Sequence, residues 1–150
     1  IGDVRRAQGD LAGALTSFEA DLAIAERLAA SDGSNTEWQR DLSVSHDRIG
    51  DVRRAQGDLA GALTSYEAGL AITDRLAASD RSNTEWQRDL AISHGRLGLV
   101  FTKREPKKAV DHFRTARAII ARLREVSPDD AVLRSDLAYY DARIAELSPP

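Results

Sequence analysis

Residues 49–80 read IGDVRRAQGDLAGALTSYEAGLAITDRLAASD, and a near-copy of this stretch begins at Ile1. When the chain is shifted by 48 residues, residues 1–48 align with residues 49–96 and differ from them at only eight positions. A diverged third copy begins at Leu97 and stays in register once one residue is omitted near Glu105. Self-similarity at a fixed period is typical of repeat proteins, so we predict about three stacked copies of one structural unit.

Each copy contains two segments with the apolar spacing of a helix, separated by a short turn. In the second copy, the first helix is predicted to begin at Ser34-Asn35-Thr36-Glu37, where Ser34 and Glu37 fit a capping box. It is predicted to end at Gly57, the residue type favoured at a left-handed C′ position. Asp58 then caps a second helix, which carries apolar residues along one side and ends near Asp80.

Three residues around the turn resemble the tetratricopeptide repeat: Gly50, Ala62 twelve positions later, and Tyr66 four positions after that. In that family the glycine lets the two helices approach, the small residue lies at their closest contact, and the aromatic fills the space between repeats. The period of 48 residues exceeds the family's usual unit of about 34, so we interpret the chain as a long-helix variant. The same set recurs as Gly2, Ala14 and Phe18, and as Gly98, Ala109 and Phe113.

The resemblance implies an all-α fold, a right-handed superhelical solenoid of antiparallel helix hairpins with about seven helices. We predict a single array: a truncated first repeat (1–34), a second repeat (35–82), a third repeat (83–128) and a C-terminal capping helix (129–150). Pro128 is expected at the first position of that last helix, with acidic residues in its first turn. Ile1 aligns with the middle of a first helix, so we expect a fragment of a longer protein, with further repeats before it.

The composition argues against several classes of protein. A net charge of −3, from 21 basic and 24 acidic residues, gives no basic surface for nucleic acid. Without cysteine, disulfides, thiol chemistry and zinc–thiolate sites are excluded. No apolar run approaches the ~18 residues of a membrane span, and no signal peptide is visible, so we expect a cytoplasmic protein that does not bind membranes. Eighteen arginines against three lysines are typical of a GC-rich genome and favour a bacterial origin.

Candidate catalytic and metal-binding residues are few. Ser45, His46 and Asp47 have the residue types of a hydrolytic triad, but consecutive helical residues point about 100° apart and cannot face one another. His46 and His94 lie one repeat apart without a third donor, so we interpret them as packed histidines and not as metal ligands. We therefore predict no catalytic residue, no metal and no cofactor, and a protein that is not an enzyme.

The resemblance implies a concave groove, lined by the first helix of each repeat, that binds a peptide or protein segment. Asp51 and Arg54 have an alternative interpretation, a mutual ion pair on a solvated face. Leu99, which replaces an aspartate of the other copies, is either a groove residue or a core residue under the last helix. Trp38 and Trp86 are expected in the core, with a surface anchor as the alternative. The predicted groove residues are Asp3, Arg6, Arg40, Val44, Asp47, Asp51, Arg54, Arg88, Ile92, Gly95, Leu99 and Thr102.

We accordingly expect a protein–protein interaction scaffold whose partner is a protein or peptide. Two other functions fit the same sequence. The near-identical copies are also suited to self-association into a homo-oligomer. Alternatively, the chain is a regulatory segment of a larger multidomain signalling protein.

Overall fold

Helices account for most of the chain. The computed structural model describes residues 2–7 and 9–149, without the side chains of Val4, Arg6 and Ala7, and no strand occurs among these residues. Six helices of 17–21 residues follow one helix of six residues. The predicted all-α class is confirmed, whereas the solenoid and its hand stay predictions. The helices are α1 (Gly2–Ala7), α2 (Leu11–Ser31), α3 (Thr36–Ala55), α4 (Leu59–Ser79), α5 (Thr84–Phe101), α6 (Pro106–Val126) and α7 (Ala131–Leu147).

The turn inside a copy depends on one glycine and one aspartate. Gly57, just after α3, adopts φ +81°, a backbone conformation that residues with a side chain rarely adopt. Asp58 then accepts a hydrogen bond of 2.9 Å from the backbone N–H of Gly61 and so caps α4. Gly9 and Asp10 repeat both features between α1 and α2. The C′ glycine and the aspartate cap were therefore predicted correctly.

The start of α3 differs from the prediction. Asn35 caps α3, because its Oδ1 accepts a hydrogen bond of 3.0 Å from the backbone N–H of Trp38, and Asn83 caps α5 in the same way. Ser34 instead donates its hydroxyl to Asp32 at 2.5 Å, and this bond lowers the pKa of Asp32. The capping box predicted at Ser34 was wrong, because this hydroxyl is used in the preceding turn.

The last helix also begins later than predicted. Asp130 accepts hydrogen bonds of 2.8 and 3.0 Å from the backbone N–H groups of Val132 and Leu133, so the helix begins at Ala131. Pro128 lies in the turn before this cap, and no acidic residue lies in the first turn. Asp130 satisfies two of the N–H groups that have no partner within the helix, and the helix therefore begins after Asp130 and not at Pro128.

The chain forms two compact units, Ile1–Leu76 and Ala77–Pro150, and the boundary falls within α4. In the first unit α1 packs on α2 and α2 packs on α3. In the second unit α6 packs on both α5 and α7. The buried cores contain Ala14, Phe18, Ile49 and Val52 in the first unit, and Ala91, Ala109, Phe113, Ala116, Ile119, Ile120, Leu123, Leu133 and Tyr140 in the second.

One contact recurs in every copy: a glycine of the first helix lies against an aromatic ring of the second helix. A Cβ placed on Gly50 would lie 2.5 Å from Cε1 of Tyr66, well inside van der Waals contact. Any larger residue would therefore force the two helices apart. The same contact joins Gly2 to Phe18 at 2.5 Å and Gly98 to Phe113 at 2.6 Å.

Replacing Ala62 by leucine tests this close packing. Ala62 has no exposed surface, so the larger side chain should overpack the hairpin and lower the free energy of unfolding by about 1–3 kcal/mol. Ala60→Leu, on the exposed side of the same helix, is the matched control and should change it by less than about 0.5 kcal/mol. Urea denaturation measures both variants, and equal unfolding midpoints would contradict the hairpin packing.

Candidate functional site

The predicted binding face in the first unit lies along α3. Val44 is 38% exposed, Arg40 is half-buried, and Arg54 near the end of the helix is exposed. Arg40 and Val44 are one helical turn apart, and Arg54 lies ten residues after Val44, about 80° around the helix from it. This part of α3 therefore presents an apolar side chain with an arginine on either side of it along the helix.

The predicted residues of α1 contribute less to this face. Asp3 is exposed and forms a long ion pair of 3.9 Å with Arg48 of α3. The guanidinium carbon of Arg48 also lies 5.8 Å from the centre of the Phe18 ring. The side chain of Arg6 lies outside the described residues. Of the two groove residues predicted on α1, the structure therefore describes the side chain of Asp3 alone.

Asp47 was predicted on the exposed face, but its side chain is buried between α3 and α4. It is 8% exposed, and its Oδ1 would lie 2.7 Å from a Cβ placed on Gly69. The backbone oxygen of Ser43 would lie 3.4 Å from the same position. The missing side chain of Gly69 therefore makes room for the Asp47 carboxylate, and Asp47 serves helix packing.

The third copy carries a different pair of residues at these two positions. Gly95 stands in the register of Asp47, and Ala116 stands in the register of Gly69. The space beside Gly95 is occupied by Tyr140 of α7, whose hydroxyl oxygen would lie 2.8 Å from a Cβ on Gly95. A carboxylate is thus paired with glycine in one copy, and a glycine with alanine in the other.

A hydrogen bond connects Asp51 of α3 to Tyr66 of α4. The hydroxyl of Tyr66 donates to Oδ1 of Asp51 at 2.6 Å. Burial raises the pKa of Tyr66, the Asp51 carboxylate raises it further, and Arg54 acts in the opposite direction. Asp51 and Arg54 thus both act on the Tyr66 hydroxyl, an arrangement that the sequence did not predict.

In the second unit, α7 covers part of the predicted face of α5. Arg88 donates from Nε to Asp136 at 2.7 Å and from Nη2 at 3.3 Å, and this two-point ion pair raises the pKa of Arg88. The hydroxyl of Tyr140 donates to the backbone oxygen of Ala91 at 3.3 Å, and burial raises the pKa of Tyr140 to about 12. Arg88 therefore contributes to holding α7 on α5.

The remaining predicted residues of α5 are partly buried. Ile92 is half-buried, and Thr102, just after the helix, donates its hydroxyl to the backbone oxygen of Gly98 at 2.9 Å. Leu99 is half-buried and packs against the core of the second unit. This position favours the core interpretation of Leu99 over the groove interpretation.

Two histidines of the second unit form a pair that sequence reasoning missed. Nδ1 of His94 lies 3.0 Å from Nδ1 of His112, and the His112 ring stacks on Phe101 with an interplanar angle of 4°. The sequence contained a signal for this pair, because two positions change together between the second copy and the third. In the second copy the positions of Phe101 and His112 hold Arg53 and Ser65, which hydrogen-bond at 3.3 Å.

The described residues do not assemble a metal site. Among them, no three His, Cys, Asp or Glu side chains form a group that would hold a metal ion. None of the described helices has both the length and the apolar character that a membrane span requires. Trp38 and Trp86 are both half-buried, so their exposure does not decide between the core interpretation and the surface interpretation.

Comparisons with known proteins find similarity among solved structures. No protein-family model matches the chain, and no curated protein matches it. Among solved structures, a crystal structure of MamA is similar, with 16% sequence identity and a TM-score of 0.40. The match covers 98% of this chain and 94% of the MamA chain.

The contact of Asp47 with Gly69 predicts strong coupling between the two positions. Gly69→Ala places a methyl group against the Asp47 carboxylate and should destabilise the first unit. Adding Asp47→Gly reproduces the glycine–alanine pair of the third copy and should recover the loss. Urea denaturation of both single variants and the double variant gives the coupling energy, which we expect to be about 1–3 kcal/mol. Because the cycle cancels the helix propensities of glycine and alanine, additive effects would contradict the contact.

The partial burial of His46 predicts that the folded protein becomes less stable in acid. Burial lowers the pKa of His46, and Glu26 opposes this shift. The unfolded chain therefore binds this proton more readily than the folded chain, and stability falls as the pH drops through about 6.5. His46→Gln should reduce the fall in melting temperature between about pH 7.5 and pH 5.5, a range that spans the ordinary histidine pKa. An undiminished fall would show that His46 is not the responsible group.

Proposed function

We propose that this chain is a tetratricopeptide-type interaction module that binds a peptide or protein segment and catalyses no reaction. The glycine–aromatic contact repeated in three copies supports this proposal, because it is the close helix packing that the resemblance implies. In such a module the first helix of each repeat provides the binding surface. Among these helices, α3 has the most exposed residues of the predicted groove in the described part of the chain.

The observation that carries the proposal is the α3 face, defined as Arg40, Val44 and Arg54. Val44 is a branched apolar side chain that remains 38% exposed, although the opposite side of α3 is buried. A guanidinium group binds a carboxylate through two parallel hydrogen bonds. The α3 face therefore suits a ligand with an apolar residue and flanking aspartate or glutamate.

The spacing of the α3 face also suggests the size of the ligand. Val44 and Arg54 are ten residues apart, which corresponds to about 15 Å along a helix. An extended peptide covers this distance with roughly five residues. We therefore propose a short acidic and apolar segment as the minimal ligand.

The second unit contributes less to this proposal. Arg88, which corresponds to Arg40, is paired with Asp136, and Ile92, which corresponds to Val44, is half-buried. A ligand that used Arg88 would compete with α7 for this guanidinium. Because Val44 is more exposed than Ile92, the α3 face is the better candidate for the main contact.

A double variant of the α3 face tests the function. Val44→Asp with Arg54→Glu should weaken the capture of a partner from lysate by at least tenfold, about 1.4 kcal/mol, because it removes the apolar contact and reverses a charge. Arg27→Glu, an exposed arginine of α2, is the control and should leave capture unchanged. Asp51 is left intact because Tyr66 donates to it, and because Arg54 also acts on that hydroxyl, the melting temperature of the double variant must stay close to that of the wild type. Circular dichroism checks that both variants remain folded.

The result also separates the alternatives. Equal capture by the wild type and the double variant would contradict the α3 face as the binding surface. Retention of the parent protein alone, together with a mass that rises with concentration in sedimentation, would favour self-association. In that case the double variant should sediment like the wild type.

A further inference from the structure

Tyr66 carries a hydroxyl that the packing of the helices does not need. Its ring is fully buried and lies against Gly50. In the other copies a Cβ on the facing glycine would lie 2.5 Å from Phe18 and 2.6 Å from Phe113, and these rings are only 2% and 0% exposed. Phenylalanine therefore suffices for this contact, whereas a buried hydroxyl costs free energy unless it is hydrogen-bonded. The comparison points to a separate role for the Tyr66 hydroxyl.

The direction of this hydroxyl is fixed, because Asp51 accepts its only hydrogen. The Tyr66 hydroxyl donates to Oδ1 of Asp51, a half-buried residue of α3, at 2.6 Å. Toward any other partner the hydroxyl oxygen can act only as an acceptor. Burial and Asp51 raise the pKa of Tyr66, whereas a hydrogen bond from Arg54 and its positive charge lower this pKa. Arg54 therefore donates to an oxygen that the buried ring and Asp51 hold in place.

The guanidinium group of Arg54 keeps donors for a ligand. Arg54 is exposed, and a guanidinium has five N–H donors, of which contact with one hydroxyl oxygen leaves most available. An arginine that moves freely in solvent loses conformational entropy when it binds a ligand, and one that is already oriented loses less. Because Asp51 is itself negative, a ligand carboxylate gains most on the side of the guanidinium that faces away from Asp51.

The second copy is the only one of the three that combines an acid, an arginine and a tyrosine at these positions. The first copy has the acid and the arginine but lacks the hydroxyl, and the third copy has none of the three groups. The hydroxyl therefore occurs in the copy that contains the α3 face. The equivalent residues are Asp3, Arg6 and Phe18 in the first copy, and Leu99, Thr102 and Phe113 in the third.

We propose that Tyr66 is a positioning residue for ligand binding: its hydroxyl, fixed by Asp51, orients the Arg54 guanidinium toward a carboxylate of the ligand. This inference rests on the function proposed for the α3 face and adds the origin of its preference for acidic segments. Val44 contacts the apolar residue of the ligand without the help of Tyr66. Removal of the hydroxyl should therefore weaken the binding of acidic ligands while leaving the apolar contact intact.

Two fluorescein-labelled pentapeptides test the proposal: the acidic Asp-Glu-Leu-Glu-Asp and its amide counterpart Asn-Gln-Leu-Gln-Asn. Fluorescence anisotropy measures the affinity of the full chain for each peptide, and the ratio of the two affinities gives the acid preference. Tyr66→Phe should lower this ratio by roughly threefold to tenfold, the value of one hydrogen bond, without changing the affinity for the amide peptide. Tyr140→Phe removes a buried tyrosine hydroxyl in the second unit and is the control, which should leave the ratio unchanged.

A second measurement tests the orientation of Arg54 without any ligand. In solution NMR, the guanidinium hydrogens of Arg54, assigned by their loss in Arg54→Lys, should exchange with water more slowly in the wild type than in Tyr66→Phe. We expect a difference of about threefold or more, because a hydrogen-bonded N–H must open before it exchanges. Equal exchange rates, an unchanged ratio in Tyr66→Phe, or an equal fall of the ratio in Tyr140→Phe would overturn the positioning role. Slow exchange in a wild type that does not prefer the acidic peptide would instead contradict the function proposed for the α3 face, and with it a ligand carboxylate at Arg54.

Discussion

The contact between a glycine and an aromatic ring determines how the helices of each copy pack. Gly50 places the backbone of α3 directly against the Tyr66 ring, and the separation is too small for any Cβ. Asp47 lies one turn earlier on the same side of α3, facing Gly69. This contact therefore fixes which side of α3 faces α4. Val44 stays exposed because its position turns away from that side.

The copies differ where the helices touch, although most of their sequence is the same. Besides Phe18/Tyr66 in the glycine–aromatic contact, three of the eight differences between residues 1–48 and 49–96 lie at this interface, and each changes side-chain volume or charge. The third copy changes two contacting positions together, with Phe101 and His112 in place of Arg53 and Ser65. Because packed interiors leave little free volume, a change on one helix needs a matching change on the other. These three further differences are Asp21/Gly69, Ser43/Ala91 and Asp47/Gly95.

Local signals in the sequence predicted the local parts of the structure. Gly57 and Asp58 predicted the turn, and the spacing of apolar residues predicted the helices, because both depend on neighbours within about one turn. The choice of Asn35 over Ser34 as the cap was not predictable, since both residue types cap helices. Spacing placed Asp47 on the same face as Val44, but an edge residue of a face becomes buried or exposed according to how the next helix crosses. The pairing of Arg88 with Asp136, 48 residues apart, depends on the packing of α7, which no local pattern encodes.

Burial in this fold is a property of the neighbouring helix as much as of the residue. Ile24 and Ile72 occupy the same position in nearly identical helices, yet 49% of one and 6% of the other is exposed. Full burial of such a side chain contributes about 1.5–3 kcal/mol, so the position of the neighbouring helix decides how much of that energy a given residue supplies. The α3 face exposes one valine with an arginine on either side of it along the helix, and in the binding that we propose this charge favours selectivity over affinity.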